Sequence, residues 1–318
     1  MQATVDDIHL AVCFDQGYVP FVYVLLASAF HHNADSRISI HAIAPAILPA
    51  DGEAITQFVE QRGGRIYFYA LAASATQGFA LPNHKTSYFT LANYYRLFFA
   101  DLVPQSLSKL LYIDIDTLVV GSLKDLFLTD LGGFALGAVH DTEMHLRTDL
   151  GLTKREDYFN SGVLLINLPQ WRLQGITERA CDIAVRYPEK VKGWVDQDAL
   201  NLLLQGNWYR LDSRYNLMNG FIPHDLPQRN YEKFLTDKVI VHYSGSPKAW
   251  DWACENKLRF LYKRYSQQLP ASLAQHSAGK GMPWQGLTKL LASRALETYF
   301  NHPEVGQAWR RLKTALKG

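Results

Sequence analysis

Short apolar runs alternate with stretches of helical period along this chain. Residues 8–13, 38–43, 65–69 and 110–113 are apolar, β-rich runs and predict four strands. Between them, residues 20–31, 52–62 and 89–99 carry apolar positions three and four apart and predict helices. The second half is more mixed. It predicts strands at 134–139, 162–167 and 239–242 and helices at 176–187 and 197–205. Strands alternating with helices argue for an α/β domain with a mostly parallel sheet. Ligands of such sheets bind beyond the carboxyl ends of the strands.

One such end carries two acids. Residues 110–120 would read as a single buried strand but for Asp114 and Asp116. Side chains two apart on a strand share a face, so both carboxylates are expected to point the same way. Like charges in a desolvated place are costly without a cation between them. A divalent cation meets that need, and a cation so held commonly serves a phosphate.

Composition narrows the class. The chain has 318 residues, 48% hydrophobic and 19% charged, which suits a large folded core. No run of about 18 apolar residues is present, so no membrane-spanning helix is expected. The first residues lack a signal-peptide layout, and three scattered cysteines suit neither a disulfide framework nor a zinc site. A reducing, cytoplasmic location is the expectation.

The net charge of +2 is unevenly spread. From 257 to 318 eleven Lys and Arg face two Glu, a balance of +9, which leaves −7 for the rest. A Pro/Gly/Ser-containing break at 270–283 precedes two expected amphipathic helices, 284–300 and 305–317. The expected division is therefore a main folded body, 1–268, and a basic helical extension, 269–318. Such an extension suits an anionic membrane surface. With the excess of positive charge gathered toward this end and the rest of the chain net acidic, nucleic acid is not an expected partner.

No Gly-x-Gly-x-x-Gly follows the first strand, and no Gly-Lys-Ser/Thr phosphate loop occurs. Instead that strand runs into Asp15 and Tyr18, a carboxylate and a flat ring suited to a planar base. Further on stand Asn93-Tyr94-Tyr95-Arg96, Phe159-Asn160-Ser161-Gly162, Asp196-Gln197-Asp198 and His242-Tyr243-Ser244-Gly245-Ser246-Pro247-Lys248.

In that order these segments resemble glycosyltransferase family 8, over roughly residues 8–265. The resemblance implies the GT-A fold, a Rossmann-like sheet flanked by helices. It also implies retaining transfer of a hexose from UDP-glucose or UDP-galactose to a hydroxyl of a glycan or glycolipid, as in enzymes of bacterial lipopolysaccharide. By the same resemblance Asp114, Asp116 and His242 hold Mn²⁺, with Mg²⁺ as the substitute ion. Asp15 and Tyr18 meet the uracil, Gly245 and Lys248 the diphosphate, and Arg96 the donor and an acid of the metal site. Asn160, Asp196 and Asp141 face the donor sugar, and Gln197 lies nearest the reacting carbon. The chain departs from the family at Gly17, at Ser161 and over 79–88, where donor or acceptor preference would differ.

Retention allows two routes, a covalent glycosyl-enzyme through Asp196 or Gln197, or same-face attack with the leaving phosphate taking the acceptor proton. The second is favoured because an amide oxygen is a poor nucleophile. Two other readings compete, a nucleotidyltransferase and a catalytically silent UDP-sugar- or carbohydrate-binding protein. The missing phosphate loop speaks against the first, and the retained acids, His242, Lys248 and Gln197 against the second.

Overall fold

The computed structural model describes residues 7–81, 90–191 and 193–276. Its centre is a seven-stranded sheet in the order β3-β2-β1-β4-β7-β6-β8. The strands are β1 (Asp7–Cys13), β2 (Arg37–Ile43), β3 (Arg65–Tyr69), β4 (Lys109–Ile113), β6 (Leu136–His140), β7 (Phe159–Asn167) and β8 (Tyr209–Arg210). β7 runs antiparallel to both of its neighbours, and every other pairing is parallel. β5 (Thr117–Val119) and β9 (Ile240–His242) form a separate antiparallel pair.

The sheet divides the core into two layers by simple alternation. Leu10, Val12, Leu111 and Ile113 join one cluster, while Ala11, Cys13, Leu110 and Tyr112 join the other. The first layer is built on the helix Val19–His32, which buries ten side chains and is apolar almost all round. The second is built on Tyr94, Leu97, Trp171, Ile176 and Leu200. Buried on both faces, β7 is apolar for most of its length once past its polar start at Asn160 and Ser161.

Three expectations change. The run 110–120 is not one strand. β4 ends at Ile113, and the amide and hydroxyl of Thr117 donate to the Asp114 carbonyl at 3.2 and 2.7 Å, closing a turn. β5 then leaves the main sheet for β9, so a turn and not a shared strand face sets the two acids. The helix expected at 89–99 is a 3-10 helix, Leu91–Phe98, that runs into a short α-helix, Phe99–Leu102. Thr90 and Asn93 cap it reciprocally. Within the expected break at 270–283, the chain forms a helix at Ala271–His276.

The helix Arg259–Ser266 lies against Val19–His32, where Tyr265 and His32 hydrogen-bond at 2.6 Å. Leu269 is buried, and Leu273 and Ala274 pack on the same core. The helices expected at 284–300 and 305–317 lie outside the described residues. No helix among the described residues is long and apolar enough to cross a membrane.

Candidate active site

A cleft of about 270 Å³ opens at the carboxyl ends of β1 and β4. Its floor is the turn that carries Asp114 and Asp116. His242 reaches it from the end of β9, which the β5–β9 pairing brings alongside. Asp114, Asp116 and His242 each offer a ligand atom within 4.8 Å of the others. Nε2 of His242 lies 3.3 Å from Asp116 Oδ1. Two carboxylates and an imidazole are a donor set that Mn²⁺ accepts readily.

The approach of these groups depends on Gly162 in β7. A Cβ there would stand 2.2 Å from Cε1 of His242 and 2.8 Å from Oδ2 of Asp114. Neither neighbour is free to give, because both are tied elsewhere. Asp114 accepts from the Tyr112 hydroxyl at 2.6 Å, and His242 Nδ1 lies 2.9 Å from Asn216 Oδ1. Burial pushes the Tyr112 hydroxyl well up, so it remains a donor.

Two cations serve the acids. The guanidinium of Arg96, 3% exposed, meets Asp114 Oδ1 through Nη2 and Asp196 Oδ2 through Nε, both at 3.0 Å. Its Nη1 donates to the Ser161 carbonyl at 2.6 Å. Burial opposes the charge, but the two carboxylates outweigh it and raise the Arg96 pKa. Lys248 contacts Asp116 Oδ2. Burial alone would raise the Asp116 carboxyl, yet the Lys248 ammonium beside it holds it well below the usual range. Asp196 differs, because it shares Arg96 with Asp114. Burial wins there and pushes its pKa up to about 7.

The far wall starts the helix Val195–Leu204. Val195 has φ 44°, a left-handed conformation that a β-branched residue adopts only under constraint. That bend turns Asp196 and Gln197 toward β7. Asp196 accepts from Ser161 Oγ at 2.9 Å, and Gln197 Oε1 accepts from the Ser161 amide at 2.9 Å. Gln197 Nε2 donates to Asp141 at 3.2 Å and to Tyr158 at 3.1 Å. Elsewhere in the lining, Asp15 accepts from the Gly17 amide at 2.9 Å and from Thr90 at 3.3 Å. Tyr18 meets Trp250 edge to face at 5.9 Å, which joins the first loop to the loop bearing Gly245 and Lys248. Gly245 has φ 77°, so that loop takes a path that favours glycine.

Of the residues singled out in the sequence, all but Asp141 line the cleft. Asp141 is buried behind it, accepting from Asn160 Nδ2 at 3.2 Å as well as from Gln197. Thr90, Tyr112, Trp194 and Ser244 also line the wall. Neither Asn216 nor Gly162 stood out beforehand as an actor in the site. Asn216 lies in an irregular segment with no motif around it. Gly162 sits in a recognisable segment, but only the folded neighbours show why it must be glycine.

Residues 9–254 match the family model described as glycosyl transferase family 8. Among curated proteins, the chain is 27% identical to general stress protein A of Bacillus subtilis (strain 168), over 81% of this chain and 92% of that protein. It is 29% identical to a lipopolysaccharide 1,2-glucosyltransferase of Escherichia coli (strain K12), over 81% and 77%. Among solved structures it resembles the galactosyltransferase LgtC in complex with donor and acceptor sugar analogs. There the TM-score is 0.70 and the identity 27%, over 89% of this chain and 99% of that one. The mostly parallel sheet between helices is thus the GT-A arrangement, and with the match spanning most of its length this chain belongs to glycosyl transferase family 8.

Proposed function

We propose that this glycosyltransferase moves glucose or galactose from a UDP-sugar to a hydroxyl of a glycan or glycolipid, with Mn²⁺ and with retention at the anomeric carbon. One observation carries the reading. Asp114, Asp116 and His242 converge within 4.8 Å in a cleft that Asp15, Tyr18, Asn160, Asp196 and Gln197 also line. That set of groups suits a base, a diphosphate and a sugar held in one cleft. The lipopolysaccharide glucosyltransferase among the relatives supports a bacterial surface glycan as the product, and the galactosyltransferase LgtC supports hexose transfer.

Asp114, Asp116 and His242 would hold the ion, which supplies positive charge to a departing diphosphate. The protein's own groups do the rest. Asp15 and Tyr18 bind the uracil, and the backbone at Gly245 lets the diphosphate come close. Lys248 stands beside Asp116 as a fixed positive charge for the leaving group. Arg96, bonded to both Asp114 and Asp196, fixes the metal end of the cleft relative to the sugar end. Asn160, Asp196 and Asp141 orient the sugar hydroxyls, Asp141 through Asn160 and Gln197.

The geometry of Gln197 bears on the route. Its carbonyl oxygen accepts from the Ser161 amide and its amide nitrogen donates to Asp141 and Tyr158, so it is clamped at both ends and uncharged. Asp196 is tied to Arg96 and Ser161 and holds its proton to about pH 7. Neither is a free carboxylate nucleophile. In the favoured route the acceptor oxygen attacks the anomeric carbon from the side of the departing UDP. The bond to the diphosphate oxygen breaks, and that oxygen takes the acceptor proton. Gln197 steadies positive charge on the sugar.

A panel of UDP-sugars with Mn²⁺, scored for UDP release, tests donor and reaction together, since water serves as acceptor. NMR of the first-formed anomer tests retention, and a β-configured sugar would refute it. A glycosyl adduct on Asp196 or Gln197 by mass spectrometry would refute the same-face route. The acceptor's place is a separate part of the proposal. The charge of 269–318 supports an anionic, cytoplasm-facing membrane bearing a lipid-linked acceptor, at roughly 1 kcal/mol per basic residue at the surface. Residues 277–318 lie outside the described ones, so sedimentation with anionic liposomes, with and without 277–318, is the test. Absence of salt-sensitive binding would remove that part.

A further inference from the structure

We infer that Asn216 is a positioning residue that selects the tautomer of His242, leaving Nε2 as the nitrogen that faces the metal site. The inference rests on the metal reading above and deepens it. The backbone amide of Gly162 can only donate. It donates to the side-chain oxygen of Asn160 at 3.0 Å. That contact fixes which way the Asn160 amide points and sends its nitrogen toward Asp141, 3.2 Å away.

The same Asn160 oxygen lies 2.9 Å from the Asn216 side chain, which must therefore present its nitrogen there. The Asn216 oxygen is then directed the other way, to Nδ1 of His242 at 2.9 Å. An amide oxygen only accepts, so Nδ1 carries the hydrogen. In the neutral ring Nε2 is left with its lone pair, 3.3 Å from Asp116 Oδ1. Two acceptors face each other across that gap, as ligands of one cation do.

The fold holds Asn216 for this task. It is fully buried, and the amide of the next residue, Leu217, donates to the Ile240 carbonyl at 2.8 Å. The His242 amide donates back to the Leu217 carbonyl at 3.0 Å. The backbones on either side of the Asn216–His242 contact are thus tied together. The relay begins at Asn160 and Asp141, which the proposed function gives to the donor sugar, so one hydrogen-bonded row serves both ends of the site.

Long-range ¹H–¹⁵N NMR of the metal-free, histidine-labelled protein above pH 8 reads the tautomer directly. The expected wild-type pattern for His242, assigned by comparison with His242→Gln, is protonated Nδ1 and unprotonated Nε2. A proton on Nε2 overturns the inference, whether or not the protein binds metal. Asn216→Leu, close in size but without an acceptor, should mix the tautomers and weaken Mn²⁺ binding, read by EPR without nucleotide, by roughly 10–100-fold. Asn216→Asp keeps the acceptor and should keep the Nδ1–H form even where its packing is poorer. Leucine and wild-type proteins with the same tautomer and the same Mn²⁺ affinity would also overturn it. Should the leucine variant not fold, the wild-type and aspartate spectra decide. Wild type with the expected tautomer but no Mn²⁺ binding would sustain the relay and refute the metal reading instead.

Discussion

Gly162 and His242 are so close that a single methyl group on the first would overlap the ring of the second, with Cβ 2.2 Å from Cε1. Gly162→Ala should therefore push His242 or Asp114 out of place while leaving β7 paired. Folding should survive at a cost of about 1–3 kcal/mol. Mn²⁺ affinity by EPR and UDP release should each fall at least about tenfold. An alanine variant with wild-type metal affinity would show that the three ligands do not act together.

Arg96 is the cation common to two acids on different elements, Asp114 after β4 and Asp196 on the cleft-wall helix. Arg96→Met leaves both without it. Because Asp114 remains about a quarter exposed, the expected loss is near the lower end of the usual range, roughly 3 kcal/mol by urea denaturation. Without Arg96 the buried Asp196 carboxyl keeps its proton, so Asp114 is the charge left uncompensated and adding Asp196→Asn to Arg96→Met should cost little more. Strict additivity of the two substitutions would contradict the shared ion pair.

Asp196 also sets a pH dependence. Its folded-state pKa, about 7, lies above the ordinary 3.8, so the folded protein holds this proton more tightly than the unfolded chain. The stabilising effect of that proton is complete below about pH 4 and is lost as pH rises through 7. Asp196→Asn cannot lose it. The difference in urea midpoint between variant and wild type should shift in the variant's favour from pH 4 to 7, then level off. A difference that stays flat over this range would argue against the raised pKa.

Removal of divalent metal should abolish UDP release, and Mn²⁺ should restore it better than Mg²⁺, as the imidazole ligand favours. Bound Mn²⁺ at a hundred times its Kd should stabilise the fold by about 2.7 kcal/mol, seen as a higher melting temperature. Asp114→Asn should lose both effects and remain folded. Full activity after exhaustive chelation would exclude a metal role for the cluster.

Gln205 ends the helix Val195–Leu204 in a left-handed conformation, φ 45°. Glycine bears that geometry without strain. Gln205→Gly, at an exposed position, should stabilise the protein by about 1 kcal/mol in chemical denaturation with UDP release unchanged. A loss of stability would mean that the glutamine side chain contributes more than its backbone strain costs.

Local pattern carried the sequence a long way. Apolar alternation located β1, β2, β3 and β4, and helical period located the helix Val19–His32, because both depend on neighbours a few residues apart. The acids Asp114 and Asp116 stood out as charges within an apolar run, while His242, Lys248 and their grouping with the acids came only from the resemblance to the family. Local pattern alone did not show the assembly. The turn after Ile113 breaks what reads as one strand, and it forms because β5 finds β9 more than a hundred residues later. Long-range pairing of that kind leaves no periodicity behind. For the same reason Asn216 and Gly162 passed without notice. What each does is defined by atoms brought near it from other strands, and only the folded chain puts those atoms within hydrogen-bonding or clashing distance.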